Sequence, residues 1–596
     1  MPELTLQHRF HCVSPRAALW PKVTDTNLLN QLSGMSTIDM EPLDDGTAAR
    51  FLVRTRLDGF PVVYSEPPYE WQTPRWFQVH RELRTGPTSW LRMRYQLEDA
   101  DDGGTLITLD LRLFPKFLLL MPVARFLGNR RLKSLGDAIS AIDLMLHEDA
   151  KRASAVPGTR AAAVVPTQAF QEGLAPGQTA AADKLLDLIQ TGHSAELLRI
   201  RPYELADRWG MRRRDVLDVC LIGVEEGILD LYWDLICPSC QTAATRVHHL
   251  WELEEGGHCQ LCEISFDLPL DEAVEATFRP KPNVRQVEDV QFCSGGPAMT
   301  PHVFSQFVLP ANGTTSLTSP ATPAGMRLFV RGGQVVDVVV HADGPTTATV
   351  DVGPDGSSGE TLVAPEGTLL VNSHFPDERH LKLEYPGWQH QAATAFELST
   401  HPRFRRQFSS EVLAAGRSHK IGRVALMFSD LTGSTALYTA KGDAVAYRLV
   451  QQHFDLLNAV IAEHDGTVVK TIGDAVMAAF VEDGDALRCA LEVLRRWPAF
   501  LADKPQAEGL TLKIGVHSGP CYAVTANGVL DYFGQTVNVA ARLQGQAAPD
   551  EVVVAETLAD HAVSQDWLGG ARVSERWEAA LKGIDGGVRA ARVRVR

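Results

Sequence analysis

The stretch that most restricts what this chain can fold into is 423–482, because it joins strand, loop, helix and hairpin signals in one fixed order. Val424 to Phe428 is an apolar run of one buried strand's length. Ser429-Asp430-Leu431-Thr432-Gly433-Ser434-Thr435 follows. A glycine among hydroxyl residues ahead of a helical pattern is a loop opening a helix. Its free N–H groups and the positive end of the helix dipole suit a phosphate, held by Thr432, Gly433, Ser434 and Thr435. The helix is expected over about 444–463, ending at His464-Asp465-Gly466. Thr467 to Ile472 and Ala475 to Phe480 then form a hairpin around Gly473-Asp474. Asp430 and Asp474 thus fall at two strand ends able to lie side by side, and acidic oxygens beside a phosphate cradle suit Mg²⁺. Each taken alone also fits a structural role, as a helix cap and as a turn residue.

Three blocks in this order, FSDLTGST, VVKTIGDAVMAAF and LDYFGQTVNVAARL, resemble the catalytic domain of the class III adenylate/guanylate (nucleotidyl) cyclases. The resemblance implies a ferredoxin-like α/β domain over 423–560 with helices on one side of the sheet, followed by a C-terminal extension, 561–596. It implies two Mg²⁺ or Mn²⁺ ions per active site on Asp430 and Asp474, Arg542 for the charge growing on the α-phosphate, and Asn538 to orient the ribose. Lys470 and Asp531 take the base-reading positions. Lysine can donate to adenine N1 and aspartate can accept from N6, and in the family that pair goes with ATP. The family pairs its catalytic domains head to tail, one chain giving the metal aspartates and the other the remaining groups. A chain carrying all six residues implies a homodimer with two sites.

At 596 residues the chain has room for about four domains. A net charge of −16 argues against a general nucleic-acid or anionic-membrane surface. No apolar run reaches the ~18 residues of a membrane span; the nearest, Leu113 to Pro122, is short and broken by two prolines and a lysine. With no signal-peptide pattern, a cytoplasmic protein is expected.

Residues 1–150 pattern as a strand (Leu4 to Cys12), a short helix, several antiparallel strands and a long helix over about 116–148. This resembles the START/polyketide-cyclase-like helix-grip domains, which implies an apolar small-molecule ligand, although core packing alone explains the helix. Residues 151–180, rich in Ala, Pro and Gly, are expected to be a linker. Residues 181–235 have a helix–turn–helix cadence and a winged-helix-like ending. Arg212, Arg213 and Arg214 open the second helix, but Asp215, Asp218, Glu225 and Glu226 follow, which favours a protein–protein or packing role over DNA. Within 236–280, Cys237, Cys240, Cys259 and Cys262 form two C-x-x-C knuckles with zinc-ribbon spacing, giving a structural Zn²⁺; a redox pair would need only one knuckle. Residues 285–400 suggest seven short strands in an antiparallel sandwich or barrel, the last over Ala392 to Leu398, and 401–422 is a basic connector.

The expected protein is therefore a multidomain α+β adenylate cyclase with N-terminal sensing domains. The competing readings are a ligand-responsive DNA-binding regulator with a nucleotide-sensing cyclase-like domain, and a guanylate cyclase.

Overall fold

A computed structural model describes residues 3–43, 51–57, 59–147, 168–192, 194–238, 243–259, 264–287, 296–332, 334–354, 360–386, 391–584 and 586–595. The N-terminal strand Leu4–Cys12 pairs antiparallel with Thr105–Pro115, itself beside Thr88–Asp99 and then Trp76–Leu83. Asp25 caps one of the two short helices that follow the first strand, accepting from the Leu28 N–H at 3.0 Å. The long helix Met121–His147 lies on the sheet. Its Leu132, Leu135, Ile139 and Ile142 share one core with Leu6, Ile107 and Leu109. Of the expected linker, 151–167 lies outside the described residues, and helices Gln168–Glu172 and Thr179–Thr191 follow.

The region after residue 296 is built onto this sheet. Strand Glu70–Gln72 pairs with Val303–Leu309, the Trp71 indole donates to the Val303 carbonyl at 3.1 Å, and the Gln306 amide donates to the Tyr69 carbonyl at 2.6 Å. Thirteen strands thereby form one sheet. Three further strands, Thr314–Thr318, Thr347–Val352 and Thr368–Ser373, make a second sheet, and Leu309, Leu317, Val338, Val350, Val371 and Leu383 fill the space between.

Two expectations for this region are corrected. The sandwich is not purely antiparallel, since Gln334–Val340 pairs parallel with Glu360–Val363 and Thr347–Val352 pairs parallel with Thr368–Ser373. The expected strand over Ala392 to Leu398 is instead the helix Ala395–Ser399. A reciprocal Thr394–Glu397 capping box holds its first turn, an S/T-x-x-E signal that outweighs the apolar run.

In the middle segment, Pro202–Trp209 and Arg213–Glu225 are helices joined through Gly210 in the left-handed conformation. The basic start of the second helix is engaged within the chain. Arg213 pairs with Asp207 at 2.8 Å, and Arg214 reaches the distant Asp465 at 2.5 Å. Strand Leu229–Ile236 then pairs with Ala243–Val247 and Val274–Pro280. Its Asp234 is buried among Arg199, Arg246 and the Thr277 hydroxyl. Cys240 and Cys262 lie outside the described residues. Cys237 and Cys259 are both buried in one small cluster with Phe329.

The C-terminal sheet runs in the order Thr467–Ile472, Ala475–Phe480, Ser418–Thr432, Thr511–Ala526, Glu551–Ala555, Val588–Arg594, Arg572–Ala579. It therefore continues past residue 560, where the sequence suggested an extension: Glu551–Ala555 pairs antiparallel with Val588–Arg594. Helices Asp443–Glu463 and Asp483–Ala502 cover one face through Leu449, Leu457, Leu487, Leu491 and Trp497. The expectation of helices on one side only is corrected by Gln535–Gln546. Its Val539 and Leu543 pack with Val553 and Ala590, which point away from the long helices. On that same second face Leu426, Phe428, Met477 and Tyr532 pack with Phe396, Phe404 and Leu413 of the chain's own 394–413 segment. Each such buried phenylalanine contributes roughly 2 kcal/mol of transfer energy, so this junction is a packed core.

Candidate active site

The strand expected to end at Phe428 runs to Thr432 and begins at Ser418. Asp430 is therefore inside the strand, opposite Lys513, and the apolar run alone underestimates its length. Along it Ala425, Met427 and Leu431 face the long helices while Leu426 and Phe428 face the other way. The two-residue period puts Asp430 on the second face, with helix Gln535–Gln546. Gln544 of that helix hydrogen-bonds to Asp430. The helix can lie so close because residue 515 is glycine, where a Cβ would collide with the Gln544 backbone nitrogen.

Asp474 stands in the hairpin turn behind Gly473, whose φ of +66° suits glycine. The two strands match the expected 467–472 and 475–480. Asp430 and Asp474 come close enough to interact. Burial first, and then the Asp474 charge, raise the Asp430 carboxyl above its ordinary range, while Lys513 and Gln544 oppose the shift. Two partly buried carboxylates that repel each other are a donor set that could take a divalent cation. His453, on the long helix behind the hairpin, is buried and pushed down to about 4, so it is neutral near pH 7.

Thr432 ends the strand, Gly433 has φ +96°, and Ser434 and Thr435 open the short helix Ser434–Lys441, which precedes the expected one, Asp443–Glu463. Thr432 to Thr435 thus sit at a strand-to-helix junction that begins two residues beyond Asp430.

Lys470 and Asp531 meet directly, Nζ to Oδ2 at 2.6 Å. The other Asp531 oxygen accepts from the Tyr532 N–H at 2.8 Å. This pair is braced from the segment before strand Ser418–Thr432. Arg405 donates to the Leu530 carbonyl at 2.6 Å and the Val469 carbonyl at 3.4 Å, and the Ser399 and Tyr532 hydroxyls are 2.7 Å apart. Asn538 and Arg542 lie one turn apart on Gln535–Gln546, both exposed, and Arg542 makes no ion pair among the described residues.

Sequence reasoning missed Lys513, Gln544, His453 and Arg405. Gln544 stands two residues after Arg542 in a block already singled out. The other three have no local signal, since each acts through a neighbour distant in sequence.

Residues 417–589 match the family "Adenylate and Guanylate cyclase catalytic domain", and residues 168–292 match a family of unknown function (DUF5939). Adenylate cyclase 1 of Rhizobium meliloti is 35% identical over 144 residues, 22% of this chain and 22% of that protein. Guanylate cyclase 2G of Mus musculus is 29% identical over 190 residues, 30% of this chain and 17% of that protein. The chain thus spans about a fifth of the length of these relatives. Among solved structures, the adenylyl cyclase CyaB from P. aeruginosa aligns at 18% identity and a TM-score of 0.27, over 30% of this chain and 97% of that one. An adenylate/guanylate cyclase/hydrolase from Silicibacter pomeroyi aligns at 27% identity and a TM-score of 0.27, over 30% and 100%. Residues 417–589 are thus similar to the catalytic domain of the class III adenylate and guanylate cyclases.

Proposed function

We propose that the chain is an adenylate cyclase that converts ATP to 3′,5′-cyclic AMP and pyrophosphate at a homodimer interface, with the N-terminal modules as its regulatory part. The observation that carries the choice of base is the Lys470–Asp531 pair, a donor and an acceptor presented together. Adenine N1 accepts from the ammonium and the N6 amine donates to the carboxylate. Guanine offers the opposite pattern at those atoms.

Asp430 and Asp474 would hold two Mg²⁺ or Mn²⁺ ions, which would supply a lowered pKa at the ribose 3′-hydroxyl and charge neutralisation at the departing phosphates. The backbone N–H groups around Gly433 to Thr435 bind phosphate oxygens. Asn538 orients the ribose, and Arg542 places a fixed cation where charge grows on the α-phosphate. Exposure of Asn538 and Arg542 supports their use by a partner chain's site, as a head-to-tail homodimer requires.

Incubation of the full chain with ATP and with GTP, followed by product analysis, tests this reading; cyclic GMP as the main product would replace it with a guanylate cyclase. Exchanging the pair by Lys470→Glu with Asp531→Cys is expected to shift the ATP-to-GTP ratio at least about tenfold toward GTP, the scale of one misplaced hydrogen-bonding group. An unchanged ratio in a variant that remains active refutes the base-reading assignment.

The same reading includes one structural Zn²⁺ on Cys237, Cys240, Cys259 and Cys262. Its support is the shared burial of Cys237 and Cys259, one cysteine from each knuckle. Freshly purified chain is expected to carry about one zinc ion, and Cys237→Ser with Cys259→Ser to lose it together with thermal stability. Absence of zinc from freshly purified chain refutes the site. No DNA-binding role is proposed, because Arg213 and Arg214, two of the three arginines that would serve one, pair with Asp207 and Asp465.

A further inference from the structure

The apolar run from Leu113 to Pro122, too short to span a bilayer, folds in two halves. Its first half is the end of a buried strand. Its second half leaves the sheet and turns outward at the start of the long N-terminal helix. Leu119 is 92% exposed and Phe126 68%, and Phe117, Leu118 and Val123 are also exposed. Burying any of these against the domain's own core would have been favourable, and a contiguous exposed patch of this kind marks a contact surface.

A second apolar tip stands at the same end of the sheet. Phe60, 65% exposed, opens the strand Phe60–Glu66. Two residues on, Val62 lies against Gly86, whose turn accepts at the Pro87 carbonyl from the Lys116 N–H at 2.8 Å. Phe60 and Phe117 therefore flank one turn.

The charge around these tips is opposite to that of the whole chain. The segments 56–60, 84–87 and 115–130 contain Arg56, Arg84, Lys116, Arg125 and Arg130 against the single acid Asp58; further along the helix Arg131 is held by the Ser33 carbonyl at 3.0 Å. The acid at the adjacent strand start, Glu3, faces Arg112 at 3.9 Å. In a protein of net charge −16, this is a segregated basic rim around protruding leucine and phenylalanine side chains.

From this geometry we infer that this end of the N-terminal domain is a docking surface for an anionic lipid bilayer. Phe60, Phe117, Leu118, Leu119 and Phe126 enter the boundary between headgroups and acyl chains, and the arginines and lysines sit at headgroup level. A protein partner with an apolar groove would also cover the leucines. The observations favour lipid because the apolar residues protrude as separate tips ringed by long flexible cations, which is the form that penetrates an interface and snorkels. The whole-chain charge argument against membranes fails here because a surface field is local, and charges more than about 8 Å away are screened.

The test is co-sedimentation of the full chain with vesicles of phosphatidylserine and phosphatidylcholine in equal parts, and with phosphatidylcholine alone. Binding is expected to the mixed vesicles, weakening as salt is raised. Leu119→Glu with Phe126→Glu, both at exposed positions, is expected to lower the partition at least about tenfold. Lys116→Glu with Arg125→Glu should do the same on mixed vesicles only. Circular dichroism checks that both variants remain folded. The proposal is overturned if the unmodified chain binds mixed vesicles no better than neutral ones, or if Leu119→Glu with Phe126→Glu binds them equally. It is also overturned if that variant changes the oligomeric state while the parent chain leaves vesicles unbound, since the patch is then an interface between copies of the chain.

Discussion

Asp430→Ala is expected to lower cation-dependent cyclic nucleotide formation about 10³-fold or more while leaving the chain folded. The side chain lies on the second face of the catalytic sheet, where its contacts are Gln544 and the charges of Asp474 and Lys513. Removing it relieves a repulsion between two partly buried carboxylates, so the substitution should not cost stability, and the melting temperature should hold or rise. A merely structural aspartate, capping a helix or ending a strand, predicts the reverse: a cost of about 1 kcal/mol in stability and near-native turnover. Asp474→Ala should behave alike. Parallel measurement of turnover and melting temperature separates the two roles, and near-native activity of Asp430→Ala removes the metal assignment.

The second expectation concerns which chain supplies which group. Asp430→Ala and Arg542→Ala should each be inactive as homodimers. Co-expressed, they should regain about a quarter of the parent activity at equal total protein. Random pairing makes half the dimers mixed; in each of these one site takes both lesions and the other takes none, as two-fold symmetry requires. The exposure of Arg542, with no ion pair among the described residues, is the observation behind this expectation. If single chains held complete sites, mixing two inactive proteins would recover nothing. Each variant must first be shown to dimerise by sedimentation. The full chain is the right material, because 394–413 packs on the same face of the catalytic sheet as Asp430, and Arg405 braces the strands that carry Lys470 and Asp531.

The sequence by itself determined the local pieces of the site. The hairpin around Gly473-Asp474, the first strand of the chain and the spacing that puts Asn538 and Arg542 one helical turn apart all rest on side-chain period and turn chemistry within a few residues. A capping box at Thr394 and Glu397 was just as legible and was outweighed, wrongly, by an apolar run. Only the tertiary structure decided how these pieces meet. That Lys470 touches Asp531, that Gln544 reaches Asp430, and that Val303–Leu309 extends the N-terminal sheet are pairings between residues far apart in the chain. Hydrophobic period identifies a face to be buried but not its partner. The same limit applies at Leu118 and Leu119, where an apolar run looked like core and the fold left it in solvent. Burial is a property of the assembled layers, and no local pattern carries it.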